Sequence, residues 1–397
     1  GKAKDKPHQE RDEEELPQYH WPTSSESEEE KPLDKEEEGG GKKKKKKQKK
    51  GADHWVEDAE QGNAAAQLEL AQCYDTGRGC QANKERSFFW YGKAADQDVG
   101  AALYEVAQRY ASGEGVAEDQ KKATEFYEKA ASHKDKEPQW IFAYGYRVIH
   151  GLGCDKNEEK GIKLYRAAAS RGNHVAQYNL GIRYENGNGV KTDRKKAHKY
   201  YTLSAENGDP QAQLVLGMHH FHGIMHAMPD QKKALKLLNS AAQQGYAKAQ
   251  HALGYIYQEH KIKGEKEPLK KSVAWYRKAA SKDFAPSQYN LGMCWLNGTG
   301  VEKDEQKAVE WLTKASKNGS GEAMYNLSLC YRQGLGVEKD EKAADEWLEK
   351  SKAAGIDKGV IPDGFDVEGG VGKKKRGKGK KKSSKSKDGS SKNKKSA

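Results

Sequence analysis

The sequence predicts an all-α protein, an α/α solenoid of about eight stacked helix pairs with a charged tail at each end. Three observations carry that reading. One string of small, aromatic and glycine residues recurs along the chain at intervals of 36–38 residues. Inside each copy, a leucine, a small residue and an aromatic fall at i, i+1 and i+4, which is helical rather than strand spacing. Hydrophobic residues also stop abruptly at both ends: residues 1–50 hold five (Ala3, Leu16, Tyr19, Trp21, Leu33) and residues 373–397 hold one, Ala397.

The first helix of each repeat, helix A, carries the small-residue column Ala71, Ala107, Gly145, Gly181, Gly217, Gly254, Gly292 and Ser328. Glycine inside a helix costs about 1 kcal/mol relative to alanine, so these positions imply close approach of a second helix. A Gly-x-Gly then ends helix A and makes the loop, because glycine enters left-handed conformations without strain. Asp119, Asp193, Asp230, Asp304 and Asp340 recur where helix B starts, as N-caps or first-turn acids. Helix B holds an aromatic or leucine pair: Trp90-Tyr91, Phe126-Tyr127, Leu164-Tyr165, Tyr200-Tyr201, Leu237-Leu238, Trp275-Tyr276, Trp311-Leu312 and Trp347-Leu348. One helix pair cannot bury such a stripe, whereas stacked pairs can.

These residues resemble a known family. The pattern A-x-x-x-L-G-x-x-Y-x-x-G-x-G-V-x-x-D-x-x-x-A, followed by the aromatic pair, A-A and Gly, is similar to the Sel-one-like repeat, a relative of the tetratricopeptide repeat. The resemblance covers residues 51–355, eight repeats preceded by a half repeat from His54-Trp55 through Ala59 to Gly62. It implies a right-handed superhelical, non-catalytic adaptor that gathers other proteins. Repeat five departs from the pattern, with Met225 in place of the second loop glycine. Repeat six lacks both glycines and carries the insertion Lys261–Glu267. The expected domains are therefore a tail over 1–50, the solenoid over 51–355, a cap or linker over 356–372, and a basic tail over 373–397.

Charge separates the tails from the repeats. Residues 51–372 carry 44 basic and 44 acidic side chains, and residues 1–50 carry 14 of each. The excess of +12 therefore sits in the last 25 residues, with 13 basic side chains against one acid. Such low-hydrophobicity, charged segments cannot bury enough surface to fold and are expected to be disordered. The run Lys373, Lys374, Lys375, Arg376, Lys378, Lys380, Lys381 and Lys382 reads as a solubilising tail, a nuclear import signal or a polyanion contact. That tail has no aromatic residue to stack on bases, so nucleic-acid binding through it would be to phosphates and without sequence preference.

Other classes find little support. No phosphate loop, nucleophile elbow or metalloprotease motif is present, so no catalysis and no cofactor are expected. Five cysteines (Cys73, Cys80, Cys154, Cys294, Cys330) are too few for a disulfide framework. They fall in repeat columns as small buried hydrophobes, which favours a reducing compartment, cytoplasmic or nuclear. His219, His220, His222 and His226 cluster, but Gly223 and Pro229 end the helix among them, so structural or solvated roles are expected rather than a metal. No run of 18 apolar residues exists to span a membrane. The start at Gly1 leaves room for a removed targeting segment.

Protein partners are expected on one face of helix A. The residue two before the leucine and the residue two after it are four apart and share a face distinct from the core columns. They are Phe142 and Tyr146, Tyr178 and Ile182, Tyr289 and Met293, and Tyr325 and Leu329. Aromatic and methionine side chains of this kind suit an adaptable binding groove. The alternative is that they only pack helix A against its neighbour. A rival reading makes the chain a basic-tailed RNA- or ribosome-associated factor with the solenoid as spacer.

Overall fold

A computed structural model describes residues 51–224, 228–260 and 262–356. The tails 1–50 and 373–397 and the segment 357–372 lie outside the described residues, as do Met225, His226 and the eight basic residues between Lys373 and Lys382. Among the described residues every regular element is helical. A 3-10 turn over Ala52–His54 and the short α1 (Val56–Glu60) form the half repeat. Sixteen helices follow, each of 13 residues.

The chain divides into two compact units, one ending at Ala249 and one starting at Gln250. In the first unit the A helices are α2 (Ala64–Thr76), α4 (Gly100–Ser112), α6 (Pro138–His150), α8 (His174–Asn186) and α10 (Pro210–His222). They alternate with the B helices α3 (Lys84–Asp96), α5 (Gln120–Ser132), α7 (Glu158–Ser170), α9 (Arg194–Glu206) and α11 (Gln231–Gln243). Each helix packs on the next. The second unit takes in α12 (Ala247–Glu259) from Gln250 onward. It continues with α13 (Pro268–Ala280), α14 (Ala285–Asn297), α15 (Glu305–Lys317), α16 (Gly321–Gln333) and α17 (Glu341–Ala353). From α13 onward these too pack consecutively.

Local chemistry sets the helix ends. Each of the five expected aspartates is an N-cap whose carboxylate accepts a backbone N–H of the first turn of helix B. Asn83 and Asn157 do the same for α3 and α7. The small-residue column permits the close approach inferred for it. A Cβ on Gly181 would lie 2.6 Å from the Tyr201 ring, and one on Gly145 would lie 2.9 Å from Leu164 Cβ. In the first seven repeats the second residue of the helix B pair is the buried one, as at Tyr91, Tyr165, Tyr201, Tyr276 and Leu312, while Leu348 in the last is half-buried like Trp347.

The second loop glycine has a role beyond the turn. Gly115 has φ +72°, and a Cβ there would sit 2.2 Å from the Lys84 carbonyl oxygen at the start of the preceding helix B. It is therefore an inter-repeat contact, made by backbone against backbone. A further column, unassigned on sequence, ties repeats together. Buried Gln67, Gln177, Gln213 and Gln288 donate to the carbonyls of Ala59, Ala169, Ala205 and Ala280, at 3.0, 3.0, 3.2 and 3.2 Å. Their own oxygens accept from Gln97, Asn207, Gln244 and Asn318 at the end of helix B in the same repeat. Each amide thus adds a second hydrogen bond to a helix C-terminal carbonyl that also accepts a backbone N–H from the turn after it.

Candidate functional site

The residue two after the small column lies where helix A meets helix B of the preceding repeat. In the first unit this column reads Cys73, Arg109, Arg147, Arg183 and His219. The guanidinium of Arg109 sits 4.2 Å above the Tyr91 ring, that of Arg147 5.3 Å from Tyr127, and that of Arg183 5.8 Å from Tyr165. His219 meets Tyr201 edge-on at 5.8 Å. A cation over an aromatic face is attracted by the ring quadrupole, so the repeat supplies a ring and the column supplies the cation.

Between α4 and α6 these arginines border a cavity of about 400 Å³. At one end Arg109 is held by Asp75 at 2.9 Å and Glu105 at 2.6 Å, and Lys84 bridges Asp75 at 3.0 Å and Glu114 at 2.8 Å. At the other end Arg147 donates through Nε to Thr124 Oγ1 at 2.7 Å. Its Nη2 donates to the Gln120 carbonyl at 2.9 Å and to Gln120 Oε1 at 2.5 Å. Thr124 in turn hydrogen-bonds the Leu152 carbonyl. Burial pulls the Arg147 pKa below the ordinary arginine value. Tyr127, Ala143, Tyr146 and Leu152 complete the wall.

The eight expected groove residues divide. Tyr146, Tyr178, Ile182, Tyr289 and Met293 are half-buried, with Tyr146 on the cavity wall. Phe142, Tyr325 and Leu329 are core residues, which corrects their expected exposure. Phe142 stacks on Tyr165 at 4.8 Å. Tyr325 and Leu329 belong to α16, whose residues Tyr325 through Cys330 are all buried, so that helix has no free face there. Tyr178 packs at 5.8 Å from Tyr201, and Tyr289 accepts from Asn326 at 3.3 Å. Asp75, Arg109, Gln120 and Arg147 escaped the sequence reading, although the column of Arg109 and Arg147 was visible as a position that is never Glu, Asp or Lys.

His219 and His220 are buried and His222 is exposed. Burial, with His198 and His220 nearby, holds His219 below the ordinary imidazole value. Among the described residues no group of three His, Cys, Asp or Glu could hold a metal ion. All five cysteines are free thiols, with Cys73, Cys294 and Cys330 buried. Burial pushes the Cys294 and Cys330 thiols up to about 12, which makes them inert as nucleophiles. No helix among the described residues is long and apolar enough to cross a membrane.

Eight consecutive segments, 64–99, 100–135, 141–173, 174–209, 210–246, 247–284, 285–320 and 321–356, match the Sel1 repeat. The chain belongs to the Sel1 repeat family. Its fold is similar to that of a Sel1 repeat protein from Oxalobacter formigenes, which is 26% identical over 76% of this chain and 86% of that one, with a TM-score of 0.56. A protective antigen of uropathogenic Escherichia coli with an SLR fold is 30% identical over 76% of this chain and 71% of that one, at a TM-score of 0.47. A tetratricopeptide-repeat protein with an unusual peptide-binding site is 18% identical over 51% of this chain and 98% of its own, at a TM-score of 0.33. No curated protein matches the sequence significantly. Sel1 repeats commonly serve protein–protein interaction and are generally non-catalytic.

Proposed function

We propose that this Sel1 repeat chain is a scaffold that docks segments of partner proteins on the helix A face of residues 51–355. The observation that carries the reading is the cavity between α4 and α6, where the half-buried Tyr146 stands beside polar groups at the mouth of a recess of about 400 Å³. That volume falls within the range of roughly 300–1,000 Å³ typical of ligand pockets. A wall of aromatic and aliphatic side chains with a few fixed polar groups is what a peptide anchor needs. Tyr178 and Ile182 extend the same half-buried face along α8. The charge balance of residues 51–372, 44 against 44, favours this over a spacer for an RNA-contacting tail, because a strand-tracking surface carries a positive excess.

The test is the double variant Tyr146→Ser with Ile182→Ser. Partners captured by the intact chain should be lost while the chain stays folded, with a fall in melting temperature clearly smaller than the buried Phe142→Ser gives. A large fall in melting temperature would instead make these residues part of the core and defeat the docking role.

A further inference from the structure

Arg147 is 6% exposed on α6, a helix buried on nearly every side from Trp140 to Ile149. Arginine is almost never so buried without an opposite charge, because desolvating a lone cation is costly. Arg109, one repeat earlier in the same column, follows that rule with two carboxylates at 2.9 and 2.6 Å. Arg147 does not. The acceptors it uses are the Thr124 hydroxyl and the carbonyl and amide oxygens of Gln120, all neutral. Among the described residues no carboxylate lies within ion-pair distance of it. Two edges of the guanidinium are thus held in place by neutral groups. Nη1 makes no hydrogen bond, and Arg147 lines the cavity.

We propose that this cavity receives the carboxylate of an aspartate or glutamate side chain from a partner peptide, which pairs with Nη1 of Arg147. The proposal deepens the scaffold reading and rests on it. Three features select the ligand. Arg147 has no carboxylate within ion-pair distance and a free guanidinium edge, so one carboxylate would complete its set of partners. The same cavity is lined by Asp75, Glu105 and Glu114 alongside Lys84 and Arg109, so a singly charged carboxylate meets less repulsion there than a doubly charged phosphate would. The walls contributed by Ala143, Tyr146 and Leu152 are apolar or aromatic, which suits the methylene stem and neighbouring residues of a peptide. A charge-assisted bond in such a recess is stronger than its counterpart in water.

The experiment compares two short capped peptides of the form Gly-Phe-Glu-Phe-Gly and Gly-Phe-Gln-Phe-Gly, titrated into the full chain by calorimetry. The glutamate peptide should bind at least tenfold more tightly than its glutamine twin, and Arg147→Met should abolish the difference. A second variant guards against misfolding of the first. Gln120→Glu places a carboxylate on Arg147 from within the chain, at the expense of the Gln120 amide bonds to Ala111 and Glu118, so it should abolish the preference while the chain stays folded. Equal binding of the two peptides, no binding of either at millimolar concentration, or a preference that survives in Gln120→Glu would each overturn the proposal. The two readings fail separately, since loss of peptide discrimination leaves the Tyr146 and Ile182 double variant to report on docking.

Discussion

One position of helix A carries Arg147 in repeat three and Cys294 in repeat seven, and both lie against a buried tyrosine of the preceding helix B. Around Arg147 that helix B offers Gln120 and Thr124, seven and three residues before Tyr127. Around Cys294 the same two offsets from Tyr276 hold Leu269 and Val273, and the thiol packs with Val273 and Leu291, 4.0 Å from the Gln258 amide oxygen. The backbone frame is the same in both repeats. What differs is a set of three side chains that change together, from a guanidinium with its acceptors to a thiol with its hydrocarbon. A repeat frame therefore dictates where a side chain stands, and the neighbours contributed by adjacent helices dictate what it can be.

The most severe test of that contrast is Cys294→Arg. The new guanidinium would find no acceptor on Leu269 or Val273 and only the neutral Gln258 amide oxygen, 4.0 Å from the present thiol, and a buried charge without an acid costs about 4 kcal/mol. Urea unfolding should show the loss directly; a change near zero would mean that the second unit can open to water as the cavity does. Next in size is Asp75→Ala. It leaves Arg109, only 3% exposed, with Glu105 as its remaining acid, at a cost of about 3 kcal/mol. Combining it with Arg109→Met should recover much of that loss, because the buried charge is then gone from both sides. If the double variant is no better than the single one, the pair matters for packing rather than charge.

The smallest expected effect is on pH dependence. Burial holds His150 and His219 in the first unit and His251 in the second below their ordinary value of 6.5. The folded chain then favours the neutral imidazoles more than the unfolded chain does. Their contribution is complete above about pH 6.5 and declines as pH falls below it, toward the lower folded values. The urea midpoint should therefore be lower at pH 5.5 than at pH 7.5, and His219→Gln should flatten part of that slope. An unchanged slope in the variant would remove His219 from the titration.

Much of the fold was legible because each signal acts within one repeat. The aspartate caps need only the next three residues, and the Gly181 and Tyr201 pairing needs only one helical hairpin. The candidate site was less legible. Tyr146 could be placed on a helix face by spacing alone. Arg147 could not, because an arginine in a helix ordinarily signals solvent. Its acceptors Gln120 and Thr124 precede it by 27 and 23 residues in the previous repeat. The error at Phe142, Tyr325 and Leu329 has the same source: a helical face is open or closed according to what packs on it.

Sequence alone determined the number of repeats, the aspartate starts of helix B, the glycine ends of helix A, the columns that face the core and the segregation of charge to the tails. Those properties follow from local backbone preference and from a period repeated eight times over. Tertiary structure alone decided that the second loop glycine is a backbone contact between repeats and that a glutamine column closes helix ends. It also decided that Arg109 is compensated while Arg147 is not. Each of these is settled by atoms brought within about 3 Å of one another across a repeat boundary, a distance at which hydrogen bonds and ion pairs form and which a one-dimensional pattern does not encode.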